Sequence, residues 1–170
     1  VKYITLFADA SFCDKTKAAG IAIWARDADK HCRRSKALTF AVDSASQAEG
    51  IALGTAILFV LREFSYQPGD RLSIQSDCLA ALDLFATTPK RKKPLPGCES
   101  EMRSKVLQEV HQAGLTLCPK HVKGHEGTKN ARSAVNTWCD ENARSQMREA
   151  RRILAKQLAE KGELSELRQG

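Results

Sequence analysis

Four acidic residues in this 170-residue chain, Asp9, Glu49, Asp77 and Asp140, stand where an acid has no packing reason to be. Asp9 ends a first apolar alternating run, Asp77 ends a fourth, Glu49 opens a first helical pattern, and Asp140 lies near the start of a last one. If the first and fourth strands are adjacent and parallel, Asp9 and Asp77 become neighbours at one edge of a sheet. Helices crossing that edge can bring Glu49 and Asp140 to the same point. Two carboxylates about 4–5 Å apart repel by roughly 3–4 kcal/mol at an effective dielectric near 20, so four together need cations. Hard oxygen ligands that leave room for water and phosphate suit Mg²⁺, with Mn²⁺ as a substitute. Two such ions about 3.5–4 Å apart activate an attacking water and stabilise the leaving oxygen of a phosphodiester.

Each acid alone has a plainer explanation. Asp9 is a turn-forming residue type. Ser46-Gln47-Ala48-Glu49 has the spacing of a capping box. Asp77 and Asp140 would both be favourable charges at a helix N-terminus. It is the set of four, at the ends of four elements, that points to chemistry.

The elements that must position them follow from periodicity. Ile4–Ala8, Gly20–Ala25 and Ala37–Val42 alternate at period two and read as an antiparallel meander of strands. From Ala48 to Phe64 the apolar residues recur every three or four positions, which predicts a helix packed on the sheet. Arg71–Ser76 is a further strand, and the strand–helix–strand order implies a right-handed crossover and a parallel pair. Cys78–Ala86 predicts a short helix, and Thr87–Gly97 a loop carrying the basic run Lys90-Arg91-Lys92-Lys93. Met102, Val106 and Val110 mark another helix. Leu115–Val122 is a fifth strand, whose Pro119 suits a sheet edge or bulge. A loop over Lys123–Val135 leads to a helix starting near Asn136 and running past residue 147, frayed from about residue 165. The expected architecture is α/β: a mixed sheet of three antiparallel strands with parallel additions, flanked by helices. It divides into a catalytic domain over 1–147 and a basic helical extension over 148–170.

The bulk numbers agree with such a role. The chain is long enough to bury a core, and its net charge of +7 favours a polyanionic partner. No apolar run reaches membrane-spanning length, and the first residues lack the layout of a signal peptide. Six cysteines without CxxC spacing or a histidine cluster argue against structural zinc, and read as reduced thiols of a cytoplasmic protein. A monomer is the expected state.

Four segments resemble type 1 ribonuclease H. Phe7-Ala8-Asp9-Ala10-Ser11 is similar to that family's strand followed by Asp-Gly-Ser, and Ser44-Ala45-Ser46-Gln47-Ala48-Glu49 to its polar turn and helix acid. Ser76-Asp77 matches the end of its fourth strand. Val122-Lys123-Gly124-His125, then Asn136 to Ala143 with Asp140 inside, match its last two motifs, the most specific of the set. The resemblance covers residues 1 to about 147. It implies a ribonuclease H-like fold and an endonuclease that hydrolyses the RNA strand of RNA–DNA hybrids with two metal ions, leaving 5′-phosphate and 3′-hydroxyl ends. Carried over by position, Asp9 would bridge both ions, Asp140 complete one site, and Glu49 and Asp77 the other. His125 would assist proton transfer or product release. Ser11, Ser44, Ser46, Lys123 and Asn136 would contact the substrate, and Lys90, Arg91, Lys92 and Lys93 its backbone phosphates.

The chain departs from the family pattern at Ala10, where a glycine is usual, and at Asp14-Lys15-Thr16-Lys17, which replaces a glycine-rich loop. Ala45 and Gln47 replace an Asn and an Arg, no tryptophan-bearing basic handle is present, and the stretch from His125 to Asp140 is longer. Two other readings stay open: a nuclease of this fold acting on DNA or another structured nucleic acid, and a non-catalytic nucleic-acid-binding module. Proofreading exonucleases would show D-x-E at the end of the first strand, which is absent. Junction resolvases usually keep the last two acids close, whereas here they are 63 residues apart. Retention of all four acids favours an enzyme.

Overall fold

A computed structural model describes residues 1–88, 90, 93–123 and 131–169. Five strands, β1 (Tyr3–Cys13), β2 (Ala18–Arg26), β3 (His31–Ala37), β4 (Arg71–Ser76) and β5 (Thr116–His121), form one sheet in the order β3-β2-β1-β4-β5. The β1–β2 and β2–β3 pairs are antiparallel, and β4 adds parallel to β1 and β5 parallel to β4. Helix α1 (Ala45–Glu63) crosses between β3 and β4, α2 (Leu79–Leu84) and α3 (Gly97–Gln112) lie between β4 and β5, and α4 (Ala131–Gln169) closes the chain. Pro119 sits on β5, an edge strand, where its missing N–H leaves no gap in a central ladder.

Alternation along β1 sorts two cores. Ile4, Leu6 and Ala8 pack with Ala52, Leu53, Ala56 and Ile57 of α1, while Phe7 faces the other way into a smaller cluster with Ala22, Cys139 and Ala143. Helices α1 and α4 therefore cover opposite faces of the sheet. Helix α4 rests almost directly on backbone at Gly20 of β2. A Cβ built there would lie 2.2 Å from the Met147 nitrogen and 2.4 Å from the Ala143 carbonyl oxygen.

Three elements differ from expectation. The third strand is His31–Ala37, not Ala37–Val42. It is an edge strand, so it can be polar throughout, and its basic residues discourage a further strand from adding. The apolar alternation of Leu38, Phe40 and Val42 belongs to an irregular segment: Leu38 and Val42 plug the core, Phe40 is half exposed, and the N–H groups of Leu38 and Val42 donate to Ala19 and Lys17 carbonyls. Strand β1 continues to Cys13, so Asp9 lies within it and not at its end. Helix α4 begins at Ala131, five residues before Asn136, and is helical through Gln169.

Candidate active site

The register of β1 against β4 is constant, Tyr3 opposite Arg71 through Phe7 opposite Gln75, an offset of 68. Extended by two residues, it sets Asp9 opposite Asp77. The ladder itself stops at Phe7, because β4 ends at Ser76, whose Oγ accepts from the Cys78 N–H and turns the chain away. Beyond that point β1 has β2 on one side and open space on the other. The Ala10 N–H, left without a β4 carbonyl, donates to Asp9 Oδ1 at 2.9 Å and Glu49 Oε1 at 3.3 Å.

Glu49 is free to reach there because the helix is capped without it. The N-cap is Ser44, whose Oγ accepts from the Gln47 N–H at 3.1 Å, and Gln47 Oε1 in turn accepts from the Asp43 N–H at 2.7 Å. The capping box is thus Ser44–Gln47, two residues earlier than the expected Ser46–Glu49.

Carboxylate oxygens of Asp9, Glu49 and Asp77 lie within 4.8 Å of one another. Asp140 joins them from α4 across a cleft of about 590 Å³ that Ser11, Phe12, Ser133, Asn136, Thr137 and Arg144 also line. Arg144, one turn on, pairs with Asp140 at 2.9 Å. Burial, with the nearby charges of Asp77 and Asp140, raises the Asp9 carboxyl to about 7. Burial beside Asp9 and Asp77 raises Glu49 to about 9. The hydrogen bond between them acts in opposite directions on the two, lowering Asp9 and raising Glu49. The same burial holds the neighbouring Cys139 thiol un-ionised.

This donor set fits a divalent cation. Among the described residues Glu49 Oε2 is buried with no hydrogen-bond partner. A buried carboxylate oxygen left bare is costly unless something positive meets it. All the converging ligand atoms are hard oxygens, which favours Mg²⁺ or Mn²⁺ over a thiophilic metal.

The other expected site residues divide. Ser11 and the buried Asn136 line the cleft. Ser44 is occupied in capping, Ser46 is exposed on the first turn of α1, and neither lines it. Lys123 and Lys93 are exposed outside its lining, and Lys90, whose N–H donates to Asp83, borders a separate groove beside α2 and β5. His125, Arg91 and Lys92 lie outside the described residues. Sequence reasoning missed Ser133, Thr137 and Arg144. Placing the helix start at Ala131 would have revealed them, since 133, 136, 137, 140 and 144 recur at three- and four-residue steps on one helical face.

The RNase H family model matches residues 1–148. The chain belongs to the RNase H family. No curated protein gives a significant sequence match. Among solved structures, the N-terminal RNase H domain of a Mycobacterium tuberculosis protein is similar at 13% identity, covering 88% of this chain and 96% of that one, with a TM-score of 0.65. RNase H1 from the halophilic archaeon Halobacterium salinarum is similar at 12% identity, covering 87% and 99%, with a TM-score of 0.63. LC11-RNase H1 in complex with an RNA/DNA hybrid is similar at 18% identity, covering 86% and 98%, with a TM-score of 0.61. At these identities the three likenesses speak to the fold, which is ribonuclease H-like, and the family rests on the match over residues 1–148.

Proposed function

We propose that the protein is a Mg²⁺-dependent endonuclease, with Mn²⁺ as a substitute, that hydrolyses the RNA strand of RNA–DNA hybrids and leaves 5′-phosphate and 3′-hydroxyl ends. The observation that carries this reading is the convergence of Asp9, Glu49 and Asp77, with a bare buried oxygen on Glu49, at a cleft closed by Asp140. The family match and the hybrid bound to LC11-RNase H1 support the substrate class.

In this reading Asp9 would contribute to both metal sites, Asp140 to one of them, and Glu49 and Asp77 to the other. Metal held there would supply an activated water and charge neutralisation at the leaving oxygen. The chain's own part is to hold its acids in place. Asp9 is fixed by two strands and the Ala10 N–H, and Glu49 by a helix whose capping is supplied elsewhere. Arg144 holds Asp140 and leaves a guanidinium facing the cleft, where a phosphate oxygen would meet it. Ser11 and Asn136 offer hydrogen bonds to a sugar or phosphate. His125 assists proton transfer or product release, and residues 148–170 form a basic extension to the catalytic domain. The protein acts in the cytoplasm.

The test is a panel of end-labelled RNA–DNA hybrid, double-stranded RNA, double-stranded DNA and single-stranded RNA, with Mg²⁺, Mn²⁺ or chelator. The expected result is metal-dependent cleavage of the RNA in the hybrid alone, abolished by Asp9→Asn and Asp77→Asn. Cleavage of DNA instead would replace the substrate class, and no cleavage of any substrate would reduce the protein to a binding module.

A further inference from the structure

Helix α4 continues 29 residues past Asp140. Its inner side is anchored for much of that length. Ala150 is buried against Ala18 and Ala37, Ile153 and Leu154 pack beside it, and Gln157 Nε2 donates to the Thr39 carbonyl at 3.1 Å. The helix is therefore held to the sheet as far as residue 157. Its outer side is basic. At about 100° per residue, Arg148, Arg151 and Arg152 all fall within about 80° of Arg144 around the axis, while Ala143, Ala150 and Leu154 lie about 80–120° from it on the side turned to the sheet. Arg148, Arg151 and Arg152 are exposed, and the face begins at Arg144 inside the cleft.

We propose that this outer face of α4 is a phosphate-binding track, which takes the sugar–phosphate backbone of a duplex where it leaves the carboxylate cleft. The assignment rests on the nuclease reading of that cleft and extends it to the substrate on one side of the cut. Among the described residues neither Arg148 nor Arg151 has a carboxylate at ion-pair distance. Arg152 meets only the exposed Glu149 at 3.3 Å, a solvent-screened pair that a phosphate can displace. Three arginines in succession suit phosphate oxygens, because the guanidinium fork bonds them in pairs where an ammonium acts as a point charge. The packing of Ala18 on Ala150 also brings the start of β2 against this stretch of α4.

The geometry sets the reach. At 1.5 Å per residue, Arg148 lies about 12 Å and Arg152 about 18 Å along the axis from Asp140. With a duplex rise near 3.4 Å per base pair, the track meets backbone about four to five base pairs from the cut. A rigid helix fixed to the domain holds those positions in register with the carboxylates.

The experiment uses the full chain and a variant carrying Arg148→Gln, Arg151→Gln and Arg152→Gln, none of which belongs to the cleft. Binding of a fluorescent hybrid of roughly 20 base pairs is measured in chelator from about 50 to 200 mM salt. The triple variant is expected to bind roughly 100-fold more weakly at the low-salt end, narrowing to a few-fold at the high-salt end, with a log–log salt slope shallower by about 2–3, since each phosphate contact contributes about 0.9. The matching variant with three lysines should recover the slope, because it keeps the charges. At saturating hybrid with Mg²⁺, the glutamine variant should cleave at the wild-type rate. An unchanged slope overturns the track, and so does an equal loss in the glutamine and lysine variants, which would point to structural damage. If the wild-type protein cleaves nothing, the nuclease reading fails by itself, while the binding slopes still decide whether the arginines hold a polyanion.

Discussion

Gly20→Ala is the substitution through which the seating of α4 can be measured at the site. An added methyl would sit 2.2 Å from the Met147 nitrogen, 2.4 Å from the Ala143 oxygen and 2.5 Å from the Gln146 carbonyl carbon, all of them backbone. No rotamer change relieves such contacts. Reaching ordinary contact at 3.4 Å requires the helix to retreat by about 1.2 Å, and Asp140 lies one turn before Ala143 on that helix. Overpacking of this kind costs about 1–3 kcal/mol, or about 2–12 °C in melting temperature for a domain of this size. A displacement near 1 Å of a group that positions the reaction costs about 100-fold in rate. The assay pairs thermal unfolding with the hybrid-cleavage rate at saturating Mg²⁺. Gly97→Ala is the control, because nothing lies within 4 Å of its added methyl, and it should leave both values within error. If Gly20→Ala melts and cleaves like the wild type, α4 is not seated on β2 as described, and Asp140 does not owe its position to that contact.

Three further outcomes follow from the carboxylates and the cap. Mg²⁺ binding should release about two protons near pH 6 and about one near pH 8, read by calorimetry in buffers of different ionisation enthalpy, because Asp9 titrates at about 7 and Glu49 at about 9. Raised carboxyl pKa values stabilise the metal-free fold below their unfolded values, and that stability is lost as the pH rises through about 7 and about 9. Denaturant unfolding in chelator should therefore show stability falling steadily from about pH 5 to pH 9, a fall that Glu49→Gln flattens. Ser44→Ala should cost about 1 kcal/mol in the same measurement and Ser46→Ala close to nothing, reversing the order that the Ser46–Glu49 spacing suggests.

Much of the fold was legible because its signals are local. Arg71–Ser76 and the long helix after Ala48 stand where their periods put them, since a buried strand and a helix packed on a sheet write that periodicity into the chain. The third strand was illegible for a physical reason. An edge strand bordered by solvent need not alternate, whereas the loop after it must supply Leu38 and Val42 to a gap in the core, and so imitates a strand. The start of α4 was obscured by Arg132 and Ser133, polar residues that read as loop. Ser133, like Asn136 after it, is buried at the cleft that both line. The four acids stand out in the sequence by position, but their convergence depends on the β1–β4 register and on where β4 ends, which no single segment encodes.

The plainer explanations of the four acids were properties of isolated segments, and the structure removes those of Asp9, Glu49 and Asp140. Asp9 is no turn residue, because β1 runs through it to Cys13. Glu49 does not cap α1, because Ser44 and Gln47 already do. Asp77 precedes a six-residue helix whose N-cap, Cys78, makes no side-chain cap bond, and Asp140 is the tenth residue of α4, beyond the first turn where an acid would meet the helix dipole. What remains is shared among them: a buried Asp9, a Glu49 carboxyl raised by burial beside it, and an Asp140 paired with Arg144. The buried Asp9 and Glu49 carboxyls cost the metal-free fold stability near neutral pH, and a divalent cation bound between them would offset that cost.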